Sequence, residues 1–229
     1  MQSTIGEDFT PQNMQLFVRV DNNLDTDTDK LMRAMDIAHE YTHYSQINSG
    51  EDYDFLKKMS NNDKKYAGVV TGLGDFVFSN FDTKVKDMCT EFAFEDADLN
   101  DKFIPLPKEK RVTKQALLES QDMKNEAIFA RTMSAVFDDA FAKVVDIVIR
   151  CPERTEPYIH NTVVKISQNR KELEKLRQDV KAYCHESARK EKEARTTETE
   201  LAKKVLKTSA PLNYDVYPLF YGLLENALK

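Results

Sequence analysis

The stretch Pro157–Tyr183, PYIHNTVVKISQNRKELEKLRQDVKAY, decides how this chain is read. It sets Ile159, Ile166, Leu173 and Val180 seven residues apart, with Thr162, Asn169, Leu176 and Tyr183 three residues after each. Steps of three and four put these positions on one narrow stripe of a helix, the seam along which two helices lie together. No glycine or proline interrupts the 53 residues between Pro157 and Pro211. From Cys184 to Glu200 the stripe stops, and apart from Cys184 only Ala188 and Ala194 are apolar. It resumes at Leu201 and Val205 and continues through Leu212 and Leu219, flanked by Val216 and Leu223. A stripe, a polar gap and a second stripe predict two long antiparallel helices joined at a solvated tip. The first, from Ile159 to Tyr183, would be roughly 37 Å long at about 1.5 Å per residue.

Composition agrees with long helices. The 229 residues include only 6 glycines and 7 prolines, no tryptophan, and 31% charged side chains. Few breakers and many charges favour exposed helices over a compact α/β core, and such a bundle needs a partner to bury its stripes. The net charge of −6 is unevenly spread. Residues 150–207 carry 15 Lys/Arg against 10 Asp/Glu, whereas residues 1–149 carry 17 against 27. The paired-helix arm is therefore the basic part, suited to an anionic surface. Cys89, Cys151 and Cys184 form no CxxC pair, which predicts free thiols in a reducing compartment. Runs such as Val144–Ile149 are too short to span a membrane, and Met1–Thr10 does not look like a signal peptide. The expectation is a cytoplasmic protein, peripheral to membranes.

Elsewhere the pattern is less even. Met14–Val20 reads as a short strand or a helix start, and Asp21–Asp29 as turns. Leu31, Met35, Ala38 and Thr42 recur at helical steps, Ile47–Asp63 breaks that pattern, and Tyr66–Phe81 restores it. Gly68, Gly72 and Gly74 weaken this last helix but would let another helix approach closely. Phe81–Thr113, with Pro105 and Pro107, is irregular; Lys114–Arg150 is helical; Pro152 and Pro157 break or kink the chain before the basic arm. The three helical stretches are about 30–80, 114–187 and 190–228.

With Pro157–Tyr183 and ELAKKVLKTSAPLNYDVYPLFYGLLENAL (Glu200–Leu228), this arrangement resembles the BAR domain family of membrane-curvature proteins. The resemblance implies an all-α fold, an elongated antiparallel three-helix coiled coil that forms a curved dimer. It implies a single domain over residues 1–229, with an irregular N-terminal segment (1–29) and an irregular insert (82–113). The dimer would bind anionic phospholipid membrane, as a homodimer or with a related chain. Lys165, Arg170, Lys171, Lys175, Arg177 and Lys181 along the arm and Arg189, Lys190, Lys192 and Arg195 at the tip are the candidate membrane-binding cations. Leu219, Phe220, Leu223, Leu224 and Leu228, too apolar for a free helix end, are the candidate dimer interface. The N-terminus lacks the basic amphipathic segment of the amphiphysin type, which argues for surface binding over insertion. On this reading the protein is not an enzyme and has no cofactor. A coiled-coil interaction protein without lipid affinity is a further alternative.

One motif points to different chemistry. His39-Glu40-Tyr41-Thr42-His43 is HExxH. On a helix the two histidines stand one turn apart and can share a zinc ion, with Glu40 as the catalytic base of a metallohydrolase. A third protein ligand is then needed, and the candidates in Cys89–Asp98 are Glu91, Glu95 and Asp96. Chance also produces such five-residue patterns, in which case both imidazoles are ordinary surface groups. His160 and His185, with no acid-base partner beyond Glu156, read as solvated. Gly72-Leu73-Gly74 lacks the third glycine of a nucleotide loop, and the arm has few aromatics among its cations, so nucleic acid is not an expected partner.

Overall fold

A computed structural model of the chain describes residues 4–5, 11–12, 26–89, 114–119 and 125–229. Eight α-helices lie among them: α1 Asp27–Asn48, α2 Glu51–Met59, α3 Lys64–Met88, α4 Lys114–Glu119, α5 Glu126–Arg150, α6 Pro157–Ser167, α7 Arg170–Val205 and α8 Val216–Ala227. Two-residue strands, β1 Thr4–Ile5 and β2 Pro11–Gln12, pair antiparallel. Apart from this two-residue strand pair, the regular structure of the described residues is helical, as expected. None of their helices is long and apolar enough to cross a membrane. Residues 27–29 and 82–88, expected to be irregular, are helical, in α1 and α3; residues 90–113, with Glu91, Glu95 and Asp96, lie outside the described residues.

Where a single domain was expected, the chain divides into two compact units. One comprises residues 1–54, 90–117 and 189–222; the other comprises 55–89, 118–188 and 223–229.

In the second unit α3 packs on α5 and α6. The apolar face of α3, including Val69, Leu73, Val77 and Phe81, is fully buried. Phe81 meets Phe137 of α5 edge to face, with ring centroids 6.1 Å apart. The α3 glycines admit close neighbours, as their pattern suggested: an added Cβ at Gly72 would lie 2.8 Å from Ile159 Cδ1, and one at Gly74 would overlap the Tyr183 ring. Tyr183 cannot easily swing aside, since its hydroxyl donates to Asp75 Oδ1 at 2.7 Å. Gly74→Ala gains up to about 1 kcal/mol of helix propensity but overpacks at a cost of about 1–3 kcal/mol. A lower melting temperature is expected by thermal denaturation. None of the three cysteines is in a disulfide, and burial pushes the Cys184 thiol up, helped by the charge of Asp75.

The arm departs from the prediction at two places. The helix breaks at Gln168–Asn169 without glycine or proline, because Asn169 Oδ1 accepts from the backbone N–H of Lys171 at 3.0 Å and starts α7. The buried register of α7 then runs at steps of four through Leu176, Val180, Cys184 and Ala188, leaving the sevenfold one. More consequentially, α7 continues to Val205, so the predicted tip is the interior of a 36-residue helix. Ala188, Ala194 and Ala202 are fully buried and Glu198 is 1% exposed. The polar gap is a polar stretch of core, and no antiparallel turn occurs there.

The first unit shows what covers it. Thr26 and Asp29 form a capping box, with Thr26 N donating to Asp29 Oδ2 at 3.0 Å and Asp29 N to Thr26 Oγ1 at 3.1 Å, and this starts α1. Leu31, Met35, His39 and His43 follow at steps of four on one face. Leu31 and Met35 pack with Ala202, Leu212 and Tyr214 in a small apolar cluster. Past that cluster, the histidines face the polar stretch of α7. After α7 the chain turns at Lys207 (φ 52°) and a 3₁₀ turn, Asn213–Asp215, brings Tyr214 back against α7. Asp215 anchors that turn by accepting from Lys203 Nζ at 2.8 Å and Leu212 N at 3.0 Å.

The C-terminal residues expected at a dimer interface are largely covered within the chain. Phe220, Leu223, Leu224 and Leu228 are buried within the single chain, and Leu219 is half-buried. Their apolar surface is already used by the fold.

Candidate metal centre

The centre is built from one face of α1 and one face of α7, both within the first unit. His39 and His43 project one turn apart. Opposite them, Glu191, Arg195 and Glu198 recur at steps of four and three, in register with Ala188 and Ala202. His39 Nε2 and His43 Nε2 are 3.0 Å apart. Glu191 closes the triangle, with Oε1 3.3 Å from His43 Nε2 and Oε2 3.8 Å from His39 Nε2. Donors at about 2.0–2.1 Å from a tetrahedral zinc stand roughly 3.3–3.4 Å apart. The observed separations, 3.0 Å between the nitrogens and 3.3 and 3.8 Å to the two different oxygens of Glu191, bring one atom from each residue within 4.8 Å of the others, so a shared ion would draw a single carboxylate oxygen toward both rings.

The far side of each imidazole is also occupied. His43 Nδ1 lies 3.0 Å from Gln46 Oε1, an acceptor that requires a proton on Nδ1, so that in the neutral ring the Nε2 lone pair faces the centre. Gln46 is itself held by donation from Nε2 to Glu193 Oε2 at 2.8 Å. His39 Nδ1 lies 3.2 Å from Glu198 Oε1, but off the hydrogen-bond direction, so this buried nitrogen lacks a hydrogen bond. Glu198 is gripped from behind, since Tyr214 Oη donates to its Oε2 at 2.7 Å and Arg195 Nη1 lies 3.1 Å from the same oxygen. Arg195 Nη1 also donates to Tyr214 Oη at 2.8 Å, and its guanidinium sits 5.2 Å from the Tyr217 ring centroid. Metal-ligating histidines commonly have this second layer of partners, which fixes ring and tautomer.

Electrostatics fit the geometry. Burial presses His43 toward the neutral form, but the hydrogen bond and charge of Glu191, with Gln46 and Glu40, outweigh it and raise its pKa. Burial would also raise Glu191, yet the hydrogen bond and charge of His43, and the charges of His39 and Arg195, leave it lowered. Glu198 is likewise lowered against burial by His39, Arg195 and Tyr214. Both acids are therefore ionised at neutral pH. With both rings deprotonated, as ligation requires, Glu191, Arg195 and Glu198 leave one net negative charge to meet a divalent cation, and a proton on His43 competes with that cation. The side chains of His39, His43 and Glu191 are 12%, 17% and 25% exposed, which is buried enough for the charges to act strongly and open enough for water.

The structure places the remaining sequence-derived candidates as follows. Glu40 is half-buried, three residues before His43, on the flank of the same face. Arg195 and Arg189, expected at a solvated tip, are ion-paired: Arg195 with Glu198, and Arg189 with Glu193 and, at 3.9 Å, Glu51. Lys190 and Lys192 are half-buried in the same helix. Along the arm Lys175 pairs with Asp179, and Arg177 with Asp138 and Glu174, while Lys181 is half-buried. Lys165, Arg170 and Lys171 remain exposed. His160 is half-buried, its Nδ1 hydrogen-bonded to the Val148 carbonyl at 2.8 Å, and is not the solvated group expected. Sequence reasoning missed Glu191, Glu198, Gln46 and Tyr214 as parts of a site, and read Arg195 only as a surface cation.

Comparison with protein-family models, curated proteins and solved structures finds no match for this chain.

Proposed function

We propose that the protein is a zinc-dependent hydrolase whose metal ligands are His39, His43 and Glu191. The observation that supports this reading is the convergence of His39 Nε2 and His43 Nε2, from the helix that carries HExxH, and a Glu191 carboxylate oxygen from α7 within 4.8 Å of one another. Three protein ligands leave a fourth position for water or substrate, as in catalytic zinc sites. A zinc ion there would polarise a substrate carbonyl and make water acidic enough to attack near neutral pH. Glu40 takes the proton of the attacking water on a carboxylate oxygen as the new C–O bond forms. It returns that proton to the leaving nitrogen or oxygen as the C–N or C–O bond breaks. The substrate class is thus an amide or ester.

The membrane reading is left with less to act through. Of the ten cations named for it, Lys165, Arg170, Lys171 and Lys175 are exposed, the last paired with Asp179. The test is hydrolysis of a mixed-sequence fluorogenic peptide library and of p-nitrophenyl acetate by the full chain. Activity that a chelator abolishes and added zinc restores is the expected result. Hydrolysis indifferent to chelator, or none with zinc bound, would remove the hydrolase reading.

A further inference from the structure

The second carboxylate of α7 has no role in the ligand set, yet it is the most thoroughly buried charged group of the centre. We propose that Glu198, held by Arg195 and Tyr214, is the positioning residue of the metal site: it accepts a hydrogen bond from the Nδ1–H of His39 and so turns the Nε2 lone pair toward the metal. This rests on the metal-centre reading and adds a residue that the HExxH pattern does not contain.

The argument starts from cost. A carboxylate that is 1% exposed in the middle of a helix is unfavourable unless its lone pairs are used. An ionised carboxylate offers about four acceptor positions. Tyr214 takes one on Oε2, and Arg195 Nη1 bridges both oxygens at 3.3 and 3.1 Å. Oε1 therefore keeps capacity on the side of His39 Nδ1, 3.2 Å away. That nitrogen is buried without a hydrogen bond. Since the distance is already within reach, reorienting the ring suffices to complete the bond.

Register explains why two glutamates seven residues apart act on one ring. Seven residues are close to two helical turns, so Glu191 and Glu198 share a face of α7. The His39 imidazole lies between them, its Nε2 3.8 Å from Glu191 Oε2 and its Nδ1 3.2 Å from Glu198 Oε1. One carboxylate is placed to join the metal and the other to orient the ring. His43 obtains the same service from a neutral acceptor, Gln46 Oε1, on its own helix. The 3₁₀ turn carrying Tyr214 completes the support, because Tyr214 is both a member of the apolar cluster and a donor to Glu198.

A merely structural Arg195–Glu198 pair would show the same contacts without the metal, so the test separates the two roles. Removing one partner of a buried pair leaves a charge stranded. The informative variant is therefore the charge-balanced Arg195→Met/Glu198→Gln in the full chain, which leaves the local net charge unchanged. Zinc is titrated in competition with a chromophoric chelator, and Co²⁺ is added separately for its visible spectrum. The double variant should bind zinc about 10–100-fold more weakly than the wild type and give an altered cobalt spectrum. Tyr214→Phe keeps the ring in its cluster, removes only the hydroxyl, and should weaken zinc binding several-fold; it stands as the test if the double variant does not fold. Zinc affinity within threefold of wild type together with an unchanged cobalt spectrum would overturn the role of Glu198 and leave the metal centre standing. A wild-type chain that binds no zinc would overturn both.

Discussion

Glu40→Gln will lower zinc-dependent hydrolysis by about 10²–10⁴-fold, the usual contribution of a positioned general base, while leaving bound zinc unchanged. The two halves of this result come from the geometry. Glu40 is absent from the group of atoms that converge on the metal position, which consists of His39, His43 and Glu191. It nevertheless lies close enough for its charge to help raise His43. Glutamine matches the shape of the side chain but cannot accept a proton at neutral pH, so the loss should appear in kcat with little change in KM. Metal analysis of the same preparation is the control. A variant as active as the wild type, with full zinc, would show that Glu40 does not carry the proton.

Zinc will also reverse the pH dependence of stability around neutrality. In the metal-free chain the folded pKa of His43 is raised by Glu191. That pair contributes its full stability below the unfolded histidine value of about 6.5 and loses it as pH rises through the folded value. A zinc ligand must be deprotonated, so zinc binding strengthens over the same range. At a free zinc concentration about a thousand times the dissociation constant, binding adds about 4.1 kcal/mol. For a chain of this size that corresponds to a rise of roughly 8–16 °C in melting temperature. The rise should be large at pH 7.5 and much smaller at pH 5.5, read by scanning calorimetry with and without zinc. Glu191 and Glu198 do not blur the comparison: their pKa values are lowered, so their contribution is lost only as pH falls through those lowered values. An identical zinc-induced shift at both pH values would remove His43 from the ligand set.

Much of the helical content was legible because it rests on local pattern. The apolar steps of Phe129, Met133, Phe137, Phe141 and Val144 marked α5, and Pro152 and Pro157 marked its end. The break before α7 was not legible, because a side-chain cap at Asn169 replaces the glycine or proline that usually announces one. The polar gap misled for a more specific reason. Hydropathy equates polar with solvated, but Glu191, Arg195 and Glu198 occupy the continuing buried register of α7. They neutralise one another and the histidines opposite, which makes burial tolerable. The signal was present at both ends: the α1 stripe passes from Leu31 and Met35 directly into His39 and His43, while acidic residues at helical spacing fill the gap in α7. Pairing the two required knowing that α1 and this part of α7 are neighbours, which no local pattern contains. HExxH itself was legible, but its third ligand was sought in residues 91–96, nearer in sequence, whereas Glu191 is 148 residues beyond His43.

The most direct test is a zinc titration of the full, metal-free chain by isothermal calorimetry, with native mass spectrometry for the stoichiometry. The account predicts one zinc per chain in the wild type and none held by His39→Ala/His43→Ala. Absence of zinc binding by the wild type at millimolar metal, or equal stoichiometry in the double variant, would contradict it.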